Sequence, residues 1–339
     1  MGPYYRPILK RAWRISVRNK WLWVLGFFAA FIGNGSIYEA LLRSFNNVSE
    51  GRSVFFTLKE YSQTGVIGMI SWSKLKDLWM SDASAFGLSI FTIILLLTVL
   101  ALLISFGVIS QAGVIKGVID VDQKKKTGLK KSFTLGVDRF WPVLEINVIT
   151  KVILFGILLM LAYFVSLITL TSALASTILY IASFIVFIVC GIIIYFLTVY
   201  GTAYVVLRKR GSFDALKRAW KLFKKNVVLN LEMGLLLFVI SMVVALLFFL
   251  LVFVILAPFV LLYFLFLLSG AKLGMLVMSF VIIALFLVIL LLVGSWFSAF
   301  QLGTWAVLFE ELEMKEGKSK TRRVYEKLKG GKKKSKTRK

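Results

Sequence analysis

The chain has 339 residues, of which 59% are hydrophobic and 17% charged, with a mean hydropathy of +0.88. Soluble domains lie nearer half apolar and a quarter charged, so this composition excludes a soluble globular protein and points to a polytopic membrane protein. Its 41 Lys and Arg against 16 Asp and Glu give a net charge of +25, a basic balance that would suit a nucleic-acid-binding domain, whereas the apolar excess would not.

The first predicted element is a short basic helix at Leu9-Lys10-Arg11-Ala12-Trp13. Leu9, Ala12, Trp13, Ser16 and Val17 recur at helical spacing, giving an amphipathic helix suited to the membrane surface. A first span follows at about 20–45, interrupted by Gly33-Asn34-Gly35-Ser36. Its basic flank and short apolar run have signal-peptide form, but no small-residue cleavage site follows, so the span is expected to be retained. Residues 46–83 form the sizeable loop on the opposite side. Trp72, Leu75, Leu78 and Trp79 predict a second kind of interfacial helix there. Asn47-Val48-Ser49 has the N-glycosylation pattern.

The second span is expected at about 84–117, followed by another basic helix, Leu129-Lys130-Lys131-Ser132-Phe133. The uncharged stretch from 156 to 207 is too long for one span and is split at Thr169–Thr177, giving spans 142–170 and 174–207. A third basic helix, Leu216-Lys217-Arg218-Ala219-Trp220, precedes a span at 227–257. Pro258 and the Ser269–Lys272 turn separate this from the sixth span, 273–311. The tail, 313–339, carries 13 Lys and Arg and is expected to be disordered.

Of the 41 cations, 34 lie in four segments that six spans put on one side. The positive-inside rule makes that side the cytoplasm, so both termini are expected inside a cell inner membrane. The fold class is therefore an all-α membrane protein with six transmembrane helices. They form three tandem two-span repeats, each preceded by a basic amphipathic interfacial helix, within one membrane domain over residues 1–312. Loosely matching span ends, Gln111-Ala112-Gly113, Val199-Tyr200-Gly201 and Gln301-Leu302-Gly303, support the repeat. Units that each cross twice share one orientation and are related by an axis along the membrane normal.

The basic helix, the Asn19-Lys20-Trp21-Leu22-Trp23 start of a short Gly-interrupted span and the Phe300-Gln301-Leu302-Gly303-Thr304-Trp305 ending resemble bacterial proteins of the glycerophosphodiester phosphodiesterase membrane-domain type. The resemblance covers roughly residues 5–312 and implies an all-helical membrane fold. Some members carry a fused catalytic domain whose active site uses a His pair. This chain has no His, so the resemblance does not imply hydrolase activity.

Charges inside spans are costly and suggest function by default. Glu145 lies 16 residues after Leu129, and Glu232 lies 16 after Leu216, while Leu25 takes that place in the first copy. Lys151, Asn147 and Asn230 are nearby in sequence. The two Glu have a structural reading, as anions near helix N-termini or partners of basic helices. They also have a functional reading, as a paired site for a cation or protons. Asp120-Val121-Asp122 reads as a solvated junction more than as a nucleotide-sugar metal motif. Glu310, Glu311 and Glu313 are expected to pair with the basic helices. Cys190 is the single cysteine, so no intrachain disulfide forms. No catalytic motif, metal-ligand cluster or cofactor fingerprint appears.

The expected function is therefore non-enzymatic, organising lipid and partner proteins at the cytoplasmic face. The expected anchors are Lys10, Arg11, Trp13, Lys130, Lys131, Phe133, Lys217, Arg218 and Trp220, facing anionic headgroups. One alternative is a transporter or channel using Glu145 and Glu232. Another is an insertase-like assembly factor whose basic tail binds ribosomes or RNA.

Overall fold

The computed structural model describes residues 5–32, 72–168 and 173–314. The Gly33–Ser36 interruption, the rest of the first expected span, most of the loop after it, the split at 169–172 and the tail from 315 lie outside these residues.

All described elements are helices: α1 (Tyr5–Arg18), α2 (Trp21–Ala30), α3 (Trp72–Ser81), α4 (Ala83–Asp122), α5 (Leu129–Asp138), α6 (Phe140–Ile168), α7 (Ala173–Arg208), α8 (Ser212–Lys225), α9 (Val227–Leu268) and α10 (Lys272–Met314). Five of them, α4, α6, α7, α9 and α10, are long and apolar enough to cross a membrane, and α2 is a shorter apolar helix. The chain is thus an all-α, membrane-embedded protein. With no water to satisfy backbone groups inside a bilayer, helices are the natural spanning element for runs this apolar.

The expected stop at Pro258 does not occur. Helix α9 continues through it to Leu268, because the proline costs an internal hydrogen bond while the surrounding Leu, Val and Phe run stays helical in lipid. The chain reverses at Gly270, within the expected Ser269–Lys272 turn, where a φ of +70° is open to glycine at little cost.

The packing is built on three antiparallel pairs, α2 with α4, α6 with α7 and α9 with α10, and on an equally extensive contact of α2 with α10. Helices α4, α7 and α10 also touch one another. The short helices dock across these pairs, α1 on α10, α5 on α4 and α8 on α7. Helix α2 packs closely on α10, where a Cβ on Gly26 would lie 2.2 Å from the Ser295 carbonyl oxygen. Such small-residue contacts matter because lipid supplies no hydrophobic drive for helices to associate.

Burial is concentrated at the end where α1, α5 and α8 dock. Residues Gly107–Ile115 of α4, Tyr200–Val206 of α7, Leu229–Met233 of α9 and Ala299–Leu312 of α10 supply most of it. Away from this base the helices present exposed Leu, Ile, Val and Phe, as along Leu246–Val254 of α9 and Leu273–Phe280 of α10. Apolar surface of that extent fits hydrocarbon as its solvent. A small second cluster, Leu154, Leu158, Phe187 and Ile194, joins α6 to α7 beyond the base.

The short basic helices bury a stripe displaced from the one expected. Helix α1 buries Tyr5, Ile8, Ala12, Ile15 and Ser16, leaving Trp13 46% exposed. Helix α8 buries Ser212, Ala215, Ala219, Leu222 and Phe223, leaving Trp220 37% exposed. Helix α5 buries Ser132 and Gly136. The small residue of each motif faces the protein because the docking distance is short, and the larger aromatic beside it is pushed to the edge of the contact.

Candidate functional site

Two polar features stand out, an ion-paired collar at the base and a cavity above it. In the collar, Arg11 of α1 bridges Asp122 at the end of α4, at 3.3 Å, and Glu311 of α10. Arg208 at the end of α7 reaches Glu310 at 3.2 Å and Glu313 at 2.5 Å. Gln123 donates to Glu310 at 3.4 Å, and Lys116 pairs with Asp120 at 2.8 Å one helical turn on. Asp122 and the acidic end of α10 therefore serve to tie α1, α4, α7 and α10 together, while Asp120 pairs within α4. Among the described residues, no group of three His, Cys, Asp or Glu side chains is arranged to hold a metal ion.

Glu145 and Glu232 belong to this base. Glu145 accepts a hydrogen bond from the Ser212 hydroxyl at the start of α8, and Glu232 accepts one from the Tyr5 hydroxyl at the start of α1. Each carboxylate is thus engaged by the first turn of a short basic helix. Neither lines the cavity. Lys151 is half-buried on α6 and does not line it either.

The two asparagines lie deeper. Asn147 donates at 2.9 Å to Gln111 on α4 and at 2.9 Å to the Val143 carbonyl. Asn230 accepts from the Tyr200 hydroxyl at 2.6 Å. Both are buried, and both join the first long helix of one pair to the second helix of the preceding pair. Buried amides used this way act as polar glue between apolar helices.

The cavity, of about 690 Å³, lies among α2, α4, α6, α7, α9 and α10. Its polar wall includes Gln111, Asn147, Thr198, Ser298 and Gln301, and Tyr195, Phe196 and Trp305 form an aromatic side. Trp305 stands edge-on to Phe196, with ring centroids 5.2 Å apart. Among the described residues, no Lys, Arg, Asp or Glu contributes. The Asn147 to Gln111 bond leaves the Gln111 amide N–H group and Asn147 Oδ1 without a partner among the described residues, and the Gln301 amide has none there either.

Of the expected surface anchors, Lys10, Lys130, Lys131, Lys217 and Arg218 are exposed. Arg218 shares its charge with Asp214 at 2.9 Å, one turn back. Arg11 is committed to the collar, so it is a structural tie where a headgroup contact was expected. Trp13 packs edge-on against Trp296 of α10 at 4.8 Å, and Phe133 rests against Phe106 of α4 at 6.3 Å. Sequence reading passed over Tyr5, Ser212 and Arg208, whose partners lie far along the chain. It used Gln111 and Gln301 only as repeat markers, although an amide within an apolar run was itself a signal.

Neither a curated protein nor a solved structure matches this chain. A family model described as a domain of unknown function (DUF7847) matches residues 6–312, and the chain belongs to that family.

Proposed function

We propose that this membrane protein is a non-enzymatic organiser of lipid and partner proteins, acting at the cytoplasmic face of an inner membrane. In this reading α2 is completed as a sixth span. Three two-span units, α1–α2–α4, α5–α6–α7 and α8–α9–α10, close into a ring about an axis along the membrane normal. The acidic and basic collar then faces the cytoplasm, as the charge distribution requires. The likeness to glycerophosphodiester phosphodiesterase membrane domains enters as a membrane scaffold only, with no hydrolase activity.

The observation that carries the reading is a shared register. The buried positions of α1 and α8 correspond one for one, Tyr5 with Ser212, Ile8 with Ala215, Ala12 with Ala219, Ile15 with Leu222 and Ser16 with Phe223. Ser132 and Gly136 of α5 occupy the places of Ala12 and Ser16. Helices α5, α8 and α1 dock on α4, α7 and α10, which in this reading are the second spans of the preceding units, with α1 closing the ring. The exposed cations Lys10, Lys130 and Lys217 consequently point away from the protein at matching places. Each cation held near an anionic surface contributes ~1 kcal/mol.

The test is lipid selectivity in nanodiscs made of phosphatidylglycerol and phosphatidylcholine. The wild-type protein is expected to concentrate phosphatidylglycerol at its perimeter. A Lys10→Gln, Lys130→Gln, Lys131→Gln, Lys217→Gln and Arg218→Gln variant is expected to lose that enrichment while remaining folded. Unchanged enrichment would overturn the proposal. Transport through Glu145 and Glu232 has less support, because each carboxylate is engaged at the base and neither reaches the cavity.

A further inference from the structure

The cavity makes a chemical demand that the surface reading leaves unused. Its volume of about 690 Å³ falls within the range of small-molecule sites, which are mostly apolar with a few placed polar groups. Gln111 stands about one and a half helical turns before Lys116 of the collar, and the wall continues along α9 to Ser241, about 14 residues past its start, so the cavity begins just inside the base and extends to the depth of the bilayer. Its occupant enters from lipid.

Three classes of occupant can be weighed against the wall. An ionised head would meet no countercharge among the described residues, since no Lys, Arg, Asp or Glu of theirs lines the cavity, and burying an unpaired charge is costly. A pure hydrocarbon would leave the Gln111 and Gln301 amides and Asn147 Oδ1 without hydrogen bonds, at about 1–3 kcal/mol for each buried group left unsatisfied. Water alone would face Ile192, Val199, Leu235 and Phe238 over most of the wall, where it finds too few of the two to four polar partners that it needs. What remains is a molecule with both characters.

We infer that the cavity binds a single-chain neutral lipid whose head bears a hydroxyl, such as a long-chain alcohol. The hydroxyl accepts from the amide N–H of Gln111 or Gln301 and donates to Asn147 Oδ1 or the Gln301 carbonyl. The chain lies along Phe196, Leu235 and Phe238 and leaves between the pairs, where the helices turn apolar surface outward. Gln111 and Gln301 come from different units, so the head is held only where the units meet. None of the surface cations takes part, which makes this inference independent of the lipid-organising proposal.

The experiment is photolabelling of the full-length protein in phosphatidylcholine nanodiscs, with a diazirine-bearing long-chain alcohol and the corresponding fatty acid above its pKa. The alcohol is expected to label peptides containing Leu231–Ser241 and Ser298–Trp305 several-fold more than the acid does. Excess unlabelled alcohol is expected to suppress that labelling, while the exposed Leu246–Val254 face stays labelled in proportion to probe. Gly234→Leu fills the cavity from α9, where a Cβ meets no atom closer than Phe196 Cζ at 3.7 Å, and is expected to reduce cavity labelling several-fold. Gln111→Leu with Gln301→Leu is expected to remove the preference for alcohol over acid. Labelling confined to the outer faces, labelling that unlabelled alcohol does not displace, or equal labelling by the acid would overturn the inference. The competition arm needs no variant and decides the question even if the substituted proteins fail to fold.

Discussion

Tyr5, in the first turn of α1, donates a hydrogen bond to Glu232 on α9, 227 residues further along the chain. Ser212, in the first turn of α8, does the same for Glu145 on α6. In both cases a carboxylate near the start of a long helix anchors the start of a short one that lies across the base. Tyr5→Phe is expected to lower stability by about 1.5–3 kcal/mol, the range for a hydrogen bond to a charged acceptor. Thermal unfolding in detergent measures this. A Tyr5→Phe and Glu232→Gln cycle is expected to show coupling between the two positions, whereas fully additive effects would mean that the bond contributes nothing.

Arg208 holds two carboxylates, Glu310 and Glu313, on α10. Its side chain is about a third exposed, so each pair is partly screened by solvent. Arg208→Gln is expected to cost about 1 kcal/mol. The loss should shrink as ionic strength rises toward 1 M, where the screening length falls to about 3 Å. A salt-independent loss would instead assign the effect to packing of the Arg208 stem.

Gly26 lets α2 approach α10 at the Ser295 carbonyl and Ala299. Gly26→Ala places a methyl where backbone already sits, and the helices must separate. The expected cost is about 1–3 kcal/mol, typical of overpacking, and protease sensitivity of the α2–α10 contact reports it. Gly87, at which a Cβ meets nothing within 4 Å, is the control position and should accept Ala without loss.

Asp82 caps the start of α4. Its carboxylate accepts from the Ser84 hydroxyl and from the Ala85 and Ser84 backbone N–H groups. These bonds, the Ser84 hydroxyl first, hold its pKa below the ordinary carboxyl value. A carboxyl lowered in the folded state stabilises above its unfolded pKa and loses that contribution as pH falls through the folded one. Amide exchange at Ser84 and Ala85 is therefore expected to accelerate, relative to its intrinsic rate, as the solution is taken below about pH 4. In Asp82→Ala the exchange is expected to be faster at neutral pH and to lose this relative pH dependence.

The helical, membrane-embedded character was legible because apolar runs from Ala83, Phe140, Val227 and Lys272 leave few other options for the backbone. The positions of α1, α5 and α8 were legible because Leu-Lys-Arg-Ala-Trp and its variants have helical spacing. Which stripe of those helices faces inward was not. Spacing put Ala12 with Trp13 and Ala219 with Trp220 on one apolar face, while docking distance turned Ala12 and Ala219 toward the protein and left the indoles at its edge. The end of α9 was misplaced because Pro258 breaks helices in water more readily than in lipid. The partners of Glu145 and Glu232 could not be read, since Ser212 and Tyr5 reach them only through the order in which the helices pack. The cavity was hidden for the same reason: Gln111 and Gln301 become neighbours of one space only when α4 and α10 meet.

The helix lengths carry a mechanical consequence. Helices α9 and α10, with 42 and 43 residues, extend about 63 Å at 1.5 Å per residue, against a hydrocarbon layer of ~30 Å. The base end carries Glu232, Glu310, Glu311 and Glu313 and can meet water, but the uncharged stretch of α9 from Met233 to Leu268 alone extends about 54 Å, so its far end cannot be left in water without penalty. A flat bilayer of ordinary thickness has no upright place for this hairpin. It leans far from the normal, or the surrounding leaflets swell to cover it, and either response strains the lipid next to the base. The same hairpin that closes the cavity thus acts as a strut, and local membrane thickness bears directly on the angle at which its two helices leave the other pairs.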